Sequence, residues 1–290
     1  MAETFADRFG ASILSVDSMQ VYRGMDIGTA KPPPEVRHRI AHHMIDVADP
    51  SDEYSVMEFQ FLGREVLDAA KRTNERIVIA GGSGLHFRSL VDPMTFAPTD
   101  PEIRAELEEM SLGDLQQALL AVDHDAPNVV DMRNPRRLIR AIEVWRITFR
   151  TPTERAASSE SVALRDYQAT VEHVSFGVDA GDGLHDLVER RFDAMLDSGL
   201  LEEVQSLAPI LGRTAAQAVG YKELLGVARG VSDLSGARSG ALLATNALAK
   251  RQRTYFRRDP RIEWIPWQDG ERGRIEDAVD HIGEVAGWTS

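Results

Sequence analysis

The chain is 290 residues long, 43% apolar and 27% charged, with no cysteine and a formal net charge of −13. That length supports a sizeable core, in one domain or one domain with an insertion, and the absence of thiols excludes disulfides and thiolate metal sites and fits a reducing cytoplasm. No apolar run nears the roughly 18–20 residues of a membrane span, no secretory signal opens the chain, and the acidic balance argues against nucleic acid except where arginines gather locally.

In chain order, ASILSVD (11–17) is a short apolar run closed by Asp-Ser, the pattern of a buried strand ending at a polar site. GMDIGTAK (24–31) has the composition of a phosphate loop without its spacing. A P-loop needs G-x-x-x-x-G-K-[ST] before a helix, whereas here the glycines are four apart, two residues separate Gly28 from Lys31, and three prolines follow. RHRIAHHMID (37–46) sets His38 and His42 at a spacing that can hold metal on a helix, but no Glu follows His38, so structural histidines are expected. EYSVMEFQFLGREVLDAAKRT (53–73) is apolar at helical spacing, and ERIVIAGGSG (75–84) is a second strand with a glycine-rich turn. Strand, helix, strand with polar strand ends predicts a parallel α/β sheet, whose ligands sit at the carboxyl ends of the strands, where Asp17 and Ser83 fall.

From FAPTDPEIRAELEEM (96–110) the pattern changes. Asp100 or Thr99 caps a helix that begins at Pro101, and LGDLQQALLAVD and NPRRLIRAIEVWRIT follow as helices. TPTERAASSESVALRDYQ (151–168) is small, polar and expected to be mobile. Residues 99–168 therefore read as a helical insertion in an α/β core of residues 1–98 and 169–290. VEHVSFGVD (171–179) is a returning strand, helices follow at 183–199 and 240–258, and RIEWIPW (261–267) is a last strand.

Two readings stand for Asp17: it caps a helix or holds a turn, or with Ser18 and Gln20 it reads a polar ligand. Gly81 to Gly84 likewise form either a tight turn or a ligand contact. DHD (123–125) reads as a polar turn, and no G-x-S-x-G elbow supports a hydrolase triad. MRNPRRLIRAIEVWRITFR (132–150) holds six arginines against one acid, with Arg133, Arg137 and Arg140 on one helical face and Leu138, Ile142 and Trp145 opposite. AKRQRTYFRRDPR (249–261) holds five arginines and a lysine against one acid. There Lys250, Arg253 and Arg257 share a face beside Tyr255 and Phe256, a combination suited to a nucleic-acid backbone and an unstacked base.

Together SVDSMQVYRGMDIGTAKP, HHMIDVADPSDEYSV, IVIAGGSGLHFRSL, DPEIRAELE, NPRRLIRAIEVW, RFDAMLDSGLLEEV, AVGYKEL and AKRQRTYFR resemble, in order and over nearly the whole chain, the tRNA dimethylallyltransferase (tRNA isopentenyltransferase) family. The resemblance implies a P-loop-NTPase-like, nucleotide- and ATP-binding type of parallel sheet with a helical insertion. It implies transfer of a dimethylallyl group from its diphosphate, with Mg2+, to the exocyclic amine of the adenosine 3′ to the anticodon, by a cytoplasmic monomer with no membrane attachment. By resemblance Asp17 is the base. tRNA contacts map onto Asp17, Ser18, Met19 and Gln20, onto Ser83, where the family usually has threonine, and onto Arg104. They continue through Arg136, Arg137, Leu138, Ile139 and Arg140, and through Gln217, Ala218, Val219, Gly220, Tyr221 and Lys222. The last set is Lys250, Arg251, Gln252, Arg253, Thr254, Tyr255, Phe256 and Arg257. In the family a P-loop strand, with its lysine and the Ser/Thr that positions Mg2+, precedes the helix in which this chain opens. The first central strand, the P-loop and the metal site are thus expected to lie upstream of the residues given. Two alternatives are a non-catalytic tRNA-binding remnant and a prenyltransferase acting on free adenine nucleotides.

Overall fold

The computed structural model describes residues 1–179, 181–266 and 272–289. Two compact units divide the chain, one of Met1–Leu90 with Val171–Ser290 and one of Val91–Thr170. In the first, helix α1 (Ala2–Phe9) ends at Gly10 in the left-handed conformation. Strand β1 (Ser12–Ser15) follows and is buried along its whole length. Helix α2 (Pro34–Arg39) leads into β2 (His42–His43), helix α3 (Val56–Thr73) into β3 (Ile77–Ala80), and α4 (Gly84–Val91) closes the first half. β1 lies between β2 and β3 and is parallel to both, with Ile13 opposite His42 and Val78. Ala6, Ala11, Ile13 and Ile40 pack as one core cluster here.

α3 shows local sequence deciding an element's ends. Ser55 and Glu58 form a reciprocal capping box at its start, and Asn74 takes the left-handed conformation at its end, φ 56°. His38 and His42 do not share a helix: α2 stops at Ile40 and His42 is extended to pair with β1. The pair therefore does not lie on one helical face, because strand pairing replaced the next turn.

The second unit is helical: α5 (Pro101–Glu108), α6 (Leu112–Val122), α7 (Pro135–Thr148), α8 (Pro152–Ala156) and α9 (Ser159–Arg165). Asp100, not Thr99, caps α5, accepting from the N–H groups of Glu102 and Ile103. Leu107, Leu115, Leu119, Leu138 and Ile142 form its core. Residues 151–168, expected as a mobile polar stretch, instead hold α8 and α9. A Thr151–Glu154 capping box with Pro152 starts one and a Ser158 cap starts the other, so short polar sequence here is cap chemistry.

Back in the first unit, β4 (Ser175–Asp179) is followed by α10 (Leu184–Asp197), α11 (Leu200–Leu207), α12 (Tyr221–Ala228) and α13 (Leu234–Phe256). β5 (Ile262–Pro266) pairs parallel to β4, and α14 (Arg272–Ala286) is the last described element. The architecture is thus α/β with parallel strands between helices. Among the described residues β3 pairs only with β1, and β4 only with β5. None of the described helices is long and apolar enough to cross a membrane.

Candidate functional site

β1 runs out at Ser15, and the chain turns at once around Asp17. One carboxylate oxygen, Oδ1, accepts the Met19 N–H at 2.8 Å and the Gln20 N–H at 3.4 Å. This fixes the carboxylate while leaving Oδ2 without a hydrogen bond among the described residues. The turn-holding reading of Asp17 is therefore realised on Oδ1. The Gln20 amide is fully committed: its oxygen accepts Ser15 Oγ at 2.8 Å and its nitrogen donates to the carbonyls of Thr29 and Ala30. Gln20 thus ties the turn to the loop that follows.

That loop, Gly24–Lys31, holds an anion, and the anion belongs to the protein. The backbone N–H groups of Asp26, Ile27 and Gly28 donate to the Glu203 carboxylate of α11 at 3.0, 2.8 and 3.1 Å, an arrangement of successive donors like that of a phosphate nest. The Tyr221 hydroxyl donates to the same carboxylate, and burial together with this bond raises its pKa. Lys31 is buried, with Nζ on the Tyr22 carbonyl at 2.6 Å, Asp26 at 2.8 Å and Asp46 at 2.5 Å, while Arg37 holds the other Asp46 oxygen. Neither these three donors nor the lysine of this loop is left for phosphate. Glu203 escaped the sequence reading, since nothing in LEEV links it to residues some 175 positions earlier.

The Gly81–Gly84 turn sits beside the same strand end. Ser83 N–H donates to the Val16 carbonyl at 3.0 Å, and a Cβ on Gly81 would lie 2.7 Å from that carbonyl. α13 crosses close by. A Cβ on Gly82 would meet the Gln252 amide at 2.3 Å, and one on Gly84 the Tyr255 ring at 2.1 Å. These two glycines are thus required for the helix to approach. Ser83 Oγ lies 2.6 Å from His86 Nδ1. The His86 ring packs edge-on against buried Phe59, and burial lowers its pKa to about 4. His86, too, was not singled out from the sequence.

The far end of α13 bears on β4. Arg253 and Arg257 reach Asp179 at 3.3 and 2.8 Å, and Arg257 also lies over Trp264. The Gly181 N–H holds the Asp179 carboxyl below its usual range against the opposing effect of burial, with the two guanidinium charges adding to the shift. Lys250, Arg251, Gln217 and Lys222 are exposed, whereas Ala218, Gly220 and Tyr221 are buried. Thr254 bonds back to the Lys250 carbonyl, and Phe256 packs near Tyr255 and Phe87.

In the helical unit the arginines divide. Arg104 and Arg140 both reach the fully buried Glu143 at 2.8 Å, and Arg140 also bonds to the Ala97 and Pro98 carbonyls. Burial pushes the Glu143 carboxyl up, but the bonds from Arg140, Arg104 and the Asp100 N–H outweigh it and hold the pKa down. Arg136 and Arg137, by contrast, are exposed in the first turn of α7, and their guanidinium groups have no partner among the described residues. Leu138 is core and Ile139 packs against that core. Among the described residues no group of three or more His, Asp or Glu side chains could hold a metal ion.

Comparison with known proteins agrees across the chain. The model of the IPP transferase family matches residues 20–259. A tRNA dimethylallyltransferase of Streptomyces coelicolor is 41% identical, covering 90% of this chain and 83% of its own length. One of Acidothermus cellulolyticus is 38% identical over 99% of this chain and 89% of its own. Among solved structures, a tRNA isopentenylpyrophosphate transferase of Bacillus halodurans aligns with TM-score 0.69 at 29% identity, covering 99% of this chain and 90% of that one. A eukaryotic dimethylallyltransferase acting on tRNA shares the fold, with TM-score 0.78 at 19% identity over 99% of this chain and 76% of its own. The chain belongs to the IPP transferase family.

Proposed function

We infer that this chain is a tRNA dimethylallyltransferase, transferring a dimethylallyl group from dimethylallyl diphosphate to the exocyclic amine of the adenosine 3′ to the anticodon. The observation that carries the reading is Asp17, at the carboxyl end of a buried parallel strand, with one carboxylate oxygen held by backbone N–H groups and the other open. An adenine amine is a weak nucleophile because its lone pair is delocalised into the ring. As the nitrogen bonds to the allylic carbon and the carbon–oxygen bond to diphosphate breaks, one N–H proton passes to Asp17. The target base leaves its stack to reach Asp17. Mg2+ bound with the donor would supply positive charge to the departing diphosphate.

Exposed Arg136, Arg137, Lys250, Arg251, Gln217 and Lys222 support tRNA contact. The one-sided pairing of β3 and β4 supports a P-loop-type sheet in which a further parallel strand joins the two sheets. An intact mass above that of these 290 residues, measured on the protein from its own cells, would agree with such a strand. A mass equal to it would count against the strand. A non-catalytic remnant is not favoured, because relatives covering 90–99% of this chain are named as the enzyme. Free adenine nucleotides need no such basic surface, and AMP is expected not to compete with tRNA for turnover. Asp17→Ala should lower the rate of transfer at least a hundredfold. Near-normal turnover in that variant would remove Asp17 as the base.

A further inference from the structure

We propose that His86 is a positioning residue: it accepts the Ser83 hydroxyl proton, so that Ser83 Oγ faces the substrate as a hydrogen-bond acceptor and selects a base bearing an exocyclic amine. The proposal rests on the reading of an adenine amine as nucleophile. Ser83 immediately precedes α4, where a serine oxygen normally accepts a backbone N–H of the first turn. Here Oγ bonds instead to Nδ1 of His86, three residues on, at 2.6 Å. No other hydrogen bond to Oγ exists among the described residues.

The ring is held for that task. It packs at a right angle to Phe59, which is fully buried, with the ring centroids 4.5 Å apart and the planes at 84°. Burial keeps it neutral, so one ring nitrogen is bare and one carries a proton. With the proton on Nε2, the tautomer favoured in the free side chain, Nδ1 is bare and the Ser83 O–H donates to it. Both remaining lone pairs of Oγ are then free for the ligand. The Ser83 backbone in turn is tied to Val16, the neighbour of Asp17, by its N–H.

An exocyclic amine has two N–H groups and needs two acceptors. Asp17 Oδ2 provides one and Ser83 Oγ the second. A 6-oxo purine presents an acceptor at the same position and would face two acceptors with no donor between them. Such unpaired polar groups are what give a hydrogen-bonding site its discrimination.

The test uses the full-length protein and a binding readout that needs no turnover. Imidazole nitrogen-15 spectra should show His86 Nδ1 unprotonated at neutral pH and shifted by Ser83→Ala. Wild type should bind an anticodon stem-loop with adenosine at the target position more tightly than the same stem-loop with inosine. His86→Phe and Ser83→Ala should each lose about tenfold of that preference, and the double variant should lose no more than either alone. His86→Asn, which keeps an acceptor near the Nδ1 position, should recover part of it, and Ser83→Ala covers the case in which the phenylalanine variant fails to fold. A protonated Nδ1 in wild type, or full discrimination in a folded His86→Phe or Ser83→Ala, would overturn the proposal. A wild type that binds neither stem-loop would overturn the functional reading itself, and the nitrogen spectra would still decide the His86–Ser83 bond.

Discussion

The two histidine nitrogens and two carboxylate oxygens around the end of β1 show how much a single atom's partner matters. Asp17 Oδ1 is structural and Oδ2 is open; His86 Nδ1 holds Ser83, and its ring stays neutral through burial. Neutrality has a thermodynamic consequence. The pKa falls from 6.5 in the unfolded chain to about 4 in the fold, so between those values the unfolded state binds a proton that the native state refuses. Stability is complete above pH 6.5 and is lost as pH falls toward 4, by up to about 3 kcal/mol. Carboxylates add their own acid loss, so the informative quantity is a difference. Urea unfolding of wild type and His86→Phe at pH 7 and pH 4 should show the variant losing less stability over that range. Parallel stability curves would mean that His86 titrates normally. Sequence made Asp17 visible because a carboxylate closing an apolar run is conspicuous. His86 in GGSGLHF was not, because nothing local distinguishes a buried imidazole from a solvated one.

At the level of elements, the Gly24–Lys31 loop is held by groups brought from distant helices. Spacing and prolines sufficed to refuse it as a phosphate loop, but they could not name its occupant. Glu203 stands in the first turn of α11, a place that suits a carboxylate, and gathers three backbone donors and the Tyr221 hydroxyl. A Cβ on Gly28 would fall 2.4 Å from the Tyr221 ring, so the glycine is what lets the ring close over the loop. Gln20 then passes this order to the Asp17 turn. Glu203→Gln keeps the shape but offers one acceptor oxygen and an NH2 group where three N–H groups point. It should destabilise the protein by about 2 kcal/mol, and amide exchange at Asp26, Ile27 and Gly28 should quicken by more than the global change accounts for. Unchanged exchange at those three amides would mean the loop stands without Glu203. The same limit explains why α8 and α9 were missed. A polar sequence fails the periodicity test for a helix, while its caps, Thr151–Glu154 and Ser158, signal one only to a reader who expects short helices there.

Across the whole molecule, a net charge of −13 and affinity for a polyanion are compatible only if cations are unevenly spent. The strand–helix–strand pattern and the arginine-rich runs were legible from composition and period. Which arginines are free was not, because that depends on carboxylates elsewhere in the chain. Arg104 and Arg140 are consumed by buried Glu143, which would otherwise be an unpaired charge in the helical unit's interior. Arg136 and Arg137 are left exposed in the first turn of α7, where no acid offsets them and the helix end already favours an anion. The two classes should therefore answer a single experiment differently. Each phosphate neutralised by a side chain contributes about one unit to the slope of log K against log salt. Arg137→Ala should weaken stem-loop binding evenly across sequences, lower that slope by about one, and leave the thermal midpoint unchanged. Arg140→Ala should instead destabilise the protein by about 3 kcal/mol, since it strips Glu143 of one of its two cations, and should leave the salt slope of the folded fraction as it was. A slope unaltered by Arg137→Ala would remove that arginine from the interface. A slope altered by Arg140→Ala at full stability would mean that Arg140 leaves Glu143 when tRNA binds.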